Sequence, residues 1–217
     1  YKNCCGKYMK IQIVGASVLN TNNYIVGDSN NVILIETSAM PRDIKAIVDG
    51  RNVKAIFLTH GHWDHSQHID EAAKMFGAKV YLHEKAINKI KSNEKQFNLD
   101  RPVNSQLENE NFEILKDNQI IDFGFLKVHV LFTPGHTDCS VSYLIEDSES
   151  KALFSGDTLF YQTCGRCDLP TSSVSDMKSS LKKLLELDEN LDVYPGHGFK
   201  TTIKDERKTF EYLLCEE

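Results

Sequence analysis

Thr59-His60-Gly61-His62-Trp63-Asp64-His65 is the stretch that decides how this chain is read. It sets three imidazoles and one carboxylate side by side, directly after the apolar run 53–58. In an ordinary core each of those groups would need its own buried hydrogen-bond partner. A metal ion satisfies them together, because neutral imidazole and carboxylate are the nitrogen and oxygen ligands that zinc and its first-row neighbours prefer.

Working outward, three more apolar runs end in the same way. They close in Thr133-Pro134-Gly135-His136, in Phe154-Ser155-Gly156-Asp157 and in Val193-Tyr194-Pro195-Gly196-His197. Each places a glycine just before a potential ligand at the expected end of a strand, where a tight turn can bring the next side chain round. The candidate ligands are His60, His62, Asp64, His65, His136, Asp157 and His197. Such a set exceeds one tetrahedral zinc and suits two metals sharing a bridge.

The bulk properties bound the rest. A chain of 217 residues fits one domain with a substantial core, read here over 1–217, with residues 1–8 ahead of Met9 taken as a tag or native extension. Hydrophobic content of 41% and charged content of 26% are those of an ordinary globular protein. The net charge of −6 offers no footprint for nucleic acid and no attraction to an anionic membrane surface. No apolar run is long enough to span a bilayer, and the first residues lack a signal-peptide core. The expectation is a cytoplasmic protein whose six cysteines are reduced. Cys164-Gly165-Arg166-Cys167 has redox or zinc-site spacing, but the adjacent Cys4-Cys5 is a poor second pair, so thiols lining a cleft are the expected reading.

Along the chain, residues 11–14, 24–26, 32–35, 53–58 and 80–82 read as strands, with helices over 41–48, 64–76 and 84–90. Residues 91–111 read as a polar loop. Strands follow near 119–121 and 126–132, then a hairpin of 141–145 with 152–154 across 146–150. The span 174–187 is the clearest helix, capped by Ser173 with Asp176; 191–194 is a last strand, and Thr202 with Asp205 starts a final helix carrying Phe210, Leu213 and Leu214. Strands alternate with helices, yet several neighbours are hairpin-linked, which predicts mixed sheets with outer helices.

The ordered set His60-x-His62-x-Asp64-His65, His136, Asp157, His197 resembles the metallo-β-lactamase superfamily. The resemblance runs from about residue 11 to residue 208 and implies an α/β fold: an αβ/βα four-layer sandwich of two mixed β-sheets flanked by helices, with the metals at one edge. Gly156-Asp157-Thr158-Leu159-Phe160, Gly165-Arg166-x-Asp168-Leu169-Pro170 and Tyr194-Pro195-Gly196-His197-Gly198 are similar to the glyoxalase II-like hydrolases, which cleave thioesters such as hydroxyacylglutathione.

That resemblance implies that His60, His62 and His136 hold a first metal, and that Asp64, His65 and His197 hold a second. Asp157 would bridge the two. The cofactor expected is a pair of divalent ions, zinc first, with iron or manganese as alternatives. They would share a water, lower its pKa and polarise a thioester carbonyl, with Asp64 steering the resulting hydroxide. Glu36 stands where relatives often carry a supporting Asp. The expected partner is a small-molecule thioester, with no nucleic acid and no membrane. Arg166, Tyr161 and Phe199 are candidate substrate contacts, each with a surface or packing role as the alternative. About twenty residues follow His197, whereas glyoxalase II proper continues into a helical extension that contacts glutathione.

Some residues read more plainly. His83 and His129 lack partner spacing and are expected to be structural. His68, three residues beyond His65, is expected to be an exposed helical residue, with a position facing the site as the alternative. Trp63 is expected to pack beneath its loop, with a cleft wall as the alternative. Two competing functions stand beside the thioester hydrolase. One is a mononuclear iron persulfide dioxygenase of the same fold, sharing a Gly-Arg-x-Asp segment. The other is a degenerate binding module, which the full complement of ligands disfavours.

Overall fold

The structure is a computed structural model that describes residues 9–15, 19–96 and 112–214. Its first half forms β1 (Lys10–Gly15), β2 (Asn22–Gly27), β3 (Asn31–Ile35), α1 (Pro41–Val48), β4 (Asn52–Phe57), α2 (Trp63–Ser66), α3 (Ile69–Phe76), β5 (Lys79–Leu82), α4 (Glu84–Gln96) and β6 (Phe112–Ile114). The second half forms β7 (Ile120–Asp122), β8 (Lys127–Phe132), β9 (Val141–Glu146), β10 (Lys151–Gly156), β11 (Leu159–Phe160), β12 (Thr163–Cys164), α5 (Val174–Leu185), β13 (Asp192–Pro195), β14 (Thr201–Thr202), α6 (Ile203–Thr209) and α7 (Glu211–Leu214).

Two six-stranded mixed sheets result, ordered β1-β2-β3-β4-β5-β6 and β14-β13-β10-β9-β8-β7. β3, β4, β5 and β6 run parallel, as do β10 and β13; the remaining pairs within the sheets are antiparallel. Strand alternation splits the apolar side chains into three layers. Tyr24, Val26, Ile33, Ile35, Ala55 and Phe57 face Val128, Val130, Val141, Tyr143 and Phe154 between the sheets. Ile25, Val32, Leu34, Ile56 and Leu58 point the other way, to Ile44, Val48, Ile69 and Ala72 of the helices. Leu153 and Val193 do the same on the second sheet, against Met177, Leu181, Leu184 and Ile203. Strands covered on both faces explain why β2, β3 and β4 read as continuous apolar runs. This is the four-layer α/β arrangement with helices on both outer faces.

Several elements differ from the sequence reading. The helix expected over 64–76 is two, α2 and α3, broken where His68 leaves helical geometry at φ −114° and ψ 26°. α4 continues to Gln96 where a loop was expected, and residues 97–111 of that span lie outside the described residues. The final helix is broken at Phe210, whose ring is buried and ends α6. β6, β14 and the β11–β12 hairpin are too short for any periodicity to announce them. Among the described residues no helix is long and apolar enough to cross a membrane.

Candidate metal centre

Four loops converge at one edge of the sandwich, each leaving the C-terminal end of a strand: β4, β8, β10 and β13. Backbone hydrogen bonds tie these loops to one another. Val141 N–H donates to Thr59 O at 2.8 Å, Gly196 N–H to Gly156 O at 2.8 Å, and Asn22 N–H to Gly196 O at 2.7 Å. Tyr143 Oη, buried between the sheets, donates to Leu58 O immediately before the histidine motif.

Two glycines are required by this geometry. Gly156 sits at φ +51°, and a Cβ there would lie 2.5 Å from the Thr59 side chain. A Cβ on Gly196 would come within 2.3 Å of Asp157 Oδ1 and 2.8 Å of His65 Cε1. The absent side chains are what let a carboxylate and an imidazole from different sheets meet.

All seven sequence-predicted ligands come together, in overlapping groups. His60, His62 and His136 form one, with His60 Nε2 and His136 Nε2 each 3.0 Å from His62 Nδ1. Asp64, His65 and His197 form the other, with His65 Nε2 3.2 Å from His197 Nε2, and His197 Nε2 3.3 Å from Asp64 Oδ2. Asp157 lies between them. Its Oδ2 is 3.5 Å from His136 Nε2 and from His197 Nε2, and its Oδ1 is 3.4 Å from His65 Nε2.

The tautomers can be argued from the partners on the far side of each ring. His136 Nδ1–H donates to Arg166 O at 2.9 Å, and His197 Nδ1–H donates to Leu19 O at 3.1 Å. Thr59 Oγ1–H donates to Glu36 Oε1 at 2.5 Å, so the same oxygen accepts from His60 Nδ1–H at 3.0 Å. In the neutral rings, Nε2 of His60, His136 and His197 is therefore a bare lone pair aimed inward. Lone pairs on His136 and His197 face a carboxylate at 3.3–3.5 Å. Cations, protons or metal ions, have to stand between them. Asp157 Oδ1 is buried without a hydrogen-bond partner, which fits a ligand atom. The donor set and its geometry fit divalent metal ions.

Electrostatics without metal follow the same lines. Burial, with the crowd of neighbouring imidazoles, holds His60 well below the usual histidine range and pulls His62 down to about 3. His65 moves the other way: burial lowers it, but Asp157, Asp64 and Glu36 outweigh that and raise it well above normal. His197 is raised for a similar reason, its hydrogen bond to Asp64 overcoming burial. Burial pushes Asp64 and Asp157 up, yet the facing histidines hold both below the carboxylate range.

Glu36 takes part through a strained backbone. It follows β3 at φ +68°, a left-handed conformation that costs a non-glycine residue about 1–3 kcal/mol and is held by its surroundings. Its side chain is 1% exposed, accepts from Thr59 and lies 3.5 Å from His65 Nδ1. One carboxylate thereby orients a ligand in each group. Thr59, the hydroxyl relay in this arrangement, carried no signal beyond its place at the head of the motif.

Above the cluster opens a cavity of about 590 Å³. Trp63, expected to pack under its loop, lines this cavity, as do Arg166 and Cys164. Phe160 and Leu169, quoted from sequence only as motif residues, also line it, as does Leu19, which sequence did not single out. Tyr161 and Phe199 lie outside its lining and are 47% and 80% exposed. Cys139, Cys164 and Cys167 are free thiols, and burial raises all three. The other three histidines stand apart: His68 faces Glu71, His83 packs on the Phe132 ring, and His129 pairs with Glu146 at 3.0 Å.

The family model of the metallo-beta-lactamase superfamily matches residues 16–197, which include every one of the seven convergent ligands. The chain belongs to that superfamily. It is a metallo-hydrolase with a His/Asp metal-binding cluster. It is 35% identical over 148 residues to the probable polyketide biosynthesis zinc-dependent hydrolase PksB of Bacillus subtilis, a match covering 68% of this chain and 57% of that one. It is 29% identical over 188 residues to a hydroxyacylglutathione hydrolase of Francisella tularensis subsp. novicida, covering 83% of this chain and 64% of the relative. The matches thus span less than two thirds of either relative. Among solved structures it is similar to TTHA1623 in a di-iron-bound form, with a TM-score of 0.78, 30% identity, and 91% and 98% of the two chains covered.

Proposed function

We propose that this chain is a binuclear metal-dependent thioester hydrolase of the glyoxalase II-like type. The observation that carries the reading is Asp157, a buried carboxylate flanked by two ligand groups at the floor of an open cleft. In this reading His60, His62 and His136 would hold one metal and Asp64, His65 and His197 the other, with Asp157 placed to serve either group. Two metals are supported over one by the number of inward-facing donors, since a mononuclear iron dioxygenase site would leave the Asp64, His65 and His197 group without a use.

Divalent ions at such a site supply a water of lowered pKa and a Lewis acid for a carbonyl oxygen. The residues of the chain do the remainder. Asp64 lines the cleft while bonded towards His197, so its carboxylate can both ligate and orient an attacking water. Glu36, Thr59 and the carbonyls of Arg166 and Leu19 fix the ligand rings so that no reorganisation is needed during reaction. A thiolate is a stable enough leaving group to depart without a protein acid. The names of the two relatives, a zinc-dependent hydrolase and a hydroxyacylglutathione hydrolase, support hydrolysis and agree with a thioester. The di-iron form of the similar structure agrees with a two-metal site and keeps iron beside zinc as the resident metal.

The test is thiol release from small thioesters, S-lactoylglutathione among them, by metal-replete protein under anaerobic conditions, with chelated protein as the blank. Metal-dependent release supports the reading. Absence of cleavage across the series by protein shown to hold two metals removes it.

A further inference from the structure

The cleft above the metal centre has two unlike walls. One is the ligand wall, where His62, Asp64, His136, Asp157 and His197 reach the cavity. The other is apolar: Leu19, Trp63, Phe160, Cys164 and Leu169. The two walls adjoin directly. The Phe160 ring stands edge-on to the His197 ring at 6.1 Å, and Leu19 carries the carbonyl that accepts from His197 Nδ1–H. A group attached to a carbonyl at the metal floor would therefore lie against hydrocarbon from its first carbons.

Charge in the lining is confined. Arg166 is the single lysine or arginine among the described lining residues. Its Nε and Nη2 donate to the two oxygens of Asp168 at 2.6 and 2.7 Å, so the guanidinium already has an acidic partner outside the floor. Beyond the floor, the described lining offers an entering carboxylate or phosphate no lysine or arginine that lacks an acidic partner. An uncharged chain would instead gain from leaving water.

We propose that the substrate acyl group of this enzyme is uncharged and apolar, an aliphatic or aryl chain seated on Phe160, Leu169 and Trp63. The proposal rests on the thioester-hydrolase reading and narrows it, away from small hydroxyacyl groups and from acyl groups ending in a carboxylate.

Two measurements test it. The first compares kcat/KM of metal-replete protein on N-acetylcysteamine thioesters of acetate, butyrate, hexanoate and adipate. The expected result is a rise of about threefold per methylene up to hexanoyl, with hexanoyl at least about tenfold above adipoyl. Phe160→Ala should lower the hexanoyl-to-acetyl ratio by about fivefold or more. The second needs no turnover. Trp63 is the only tryptophan of the chain and lines the cleft, so its fluorescence reports binding of hexyl and carboxypentyl thioether analogues. The hexyl analogue should bind at least about tenfold more tightly. A flat chain-length profile, or preference for adipoyl, overturns the acyl assignment and leaves thioester hydrolysis standing. Failure to cleave any thioester overturns the hydrolase reading, and equal binding of the two analogues then overturns the apolar cleft as well.

Discussion

Asp64 and Glu36 show how differently two carboxylates serve one site. Asp64 reaches the cleft floor and is aimed at His65 and His197. Replacing it with alanine removes a donor from a group that has no spare, while deleting little packing. Asp64→Ala is expected to abolish hydrolysis and lower metal content, with the far-ultraviolet circular dichroism unchanged; full activity in that variant would remove the two-metal mechanism. Glu36 never reaches the cleft and acts through Thr59 and His65. Glu36→Gln keeps its volume and should weaken metal binding by about 10–100-fold in a chelator competition, because supporting partners of metal ligands typically have effects of that size. An unchanged affinity would mean that packing alone holds the rings. Both are buried; Asp64 stood out by its motif, and Glu36 only by its place in the resemblance. Glu36 gained its role from a left-handed backbone that no sequence pattern announces.

Among the elements, strand ends and helix caps carry most of the precision. β10 stops at Gly156, where φ +51° and the nearness of Thr59 leave no room for a side chain. Gly156→Ala should cost about 2 kcal/mol or more in urea unfolding, from left-handed strain plus displacement of Thr59, and should weaken metal binding with it. α5 begins at Ser173, whose Oγ accepts from Asp176 N–H at 3.2 Å, and the Ser173 N–H donates to Gly135 O in the loop that carries His136. Ser173→Ala should lower the unfolding free energy by about 1 kcal/mol, the size of a lost N-cap, read as a lower urea midpoint at unchanged slope. That cap was legible from sequence, as was the Thr202 cap of α6. The break between α2 and α3 was not. Ile69, Ala73 and Phe76 share a helical face and no breaker interrupts 64–76, but the Thr37 backbone takes the hydrogen bonds there, with Thr37 N–H donating to His65 O and His68 N–H to Thr37 O. Tertiary partners outcompeted the helical ladder.

For the molecule as a whole, the site is also a seam. His60, His62, Asp64 and His65 follow β4 of the first sheet, whereas His136, Asp157 and His197 follow strands of the second. Metal held by both halves binds the folded state and not the unfolded one, so it adds stability by mass action. Stripping it with a chelator should lower the unfolding temperature by about 5–10 °C, given roughly 2.7 kcal/mol at a hundredfold excess over Kd and a few degrees per kcal/mol at this chain length. Return of metal should restore it; an unchanged melting curve would mean that the sheets meet without help from the ligands.

What the sequence determined on its own is local chemistry: seven candidate ligands at four glycine-marked strand ends, apolar strands that call for cover on both faces, and the caps of α5 and α6. Those signals depend only on neighbouring residues and on the side-chain periods of helix and strand. Tertiary structure alone decided which nitrogen of His60, His136 and His197 faces inward, that Trp63 lines the cleft, and that Arg166 is already paired with Asp168. Each of these depends on atoms brought together from strands far apart in the chain. A hydrogen bond or a cavity wall is set by distances of a few ångströms, which residue order does not contain until the two sheets have packed.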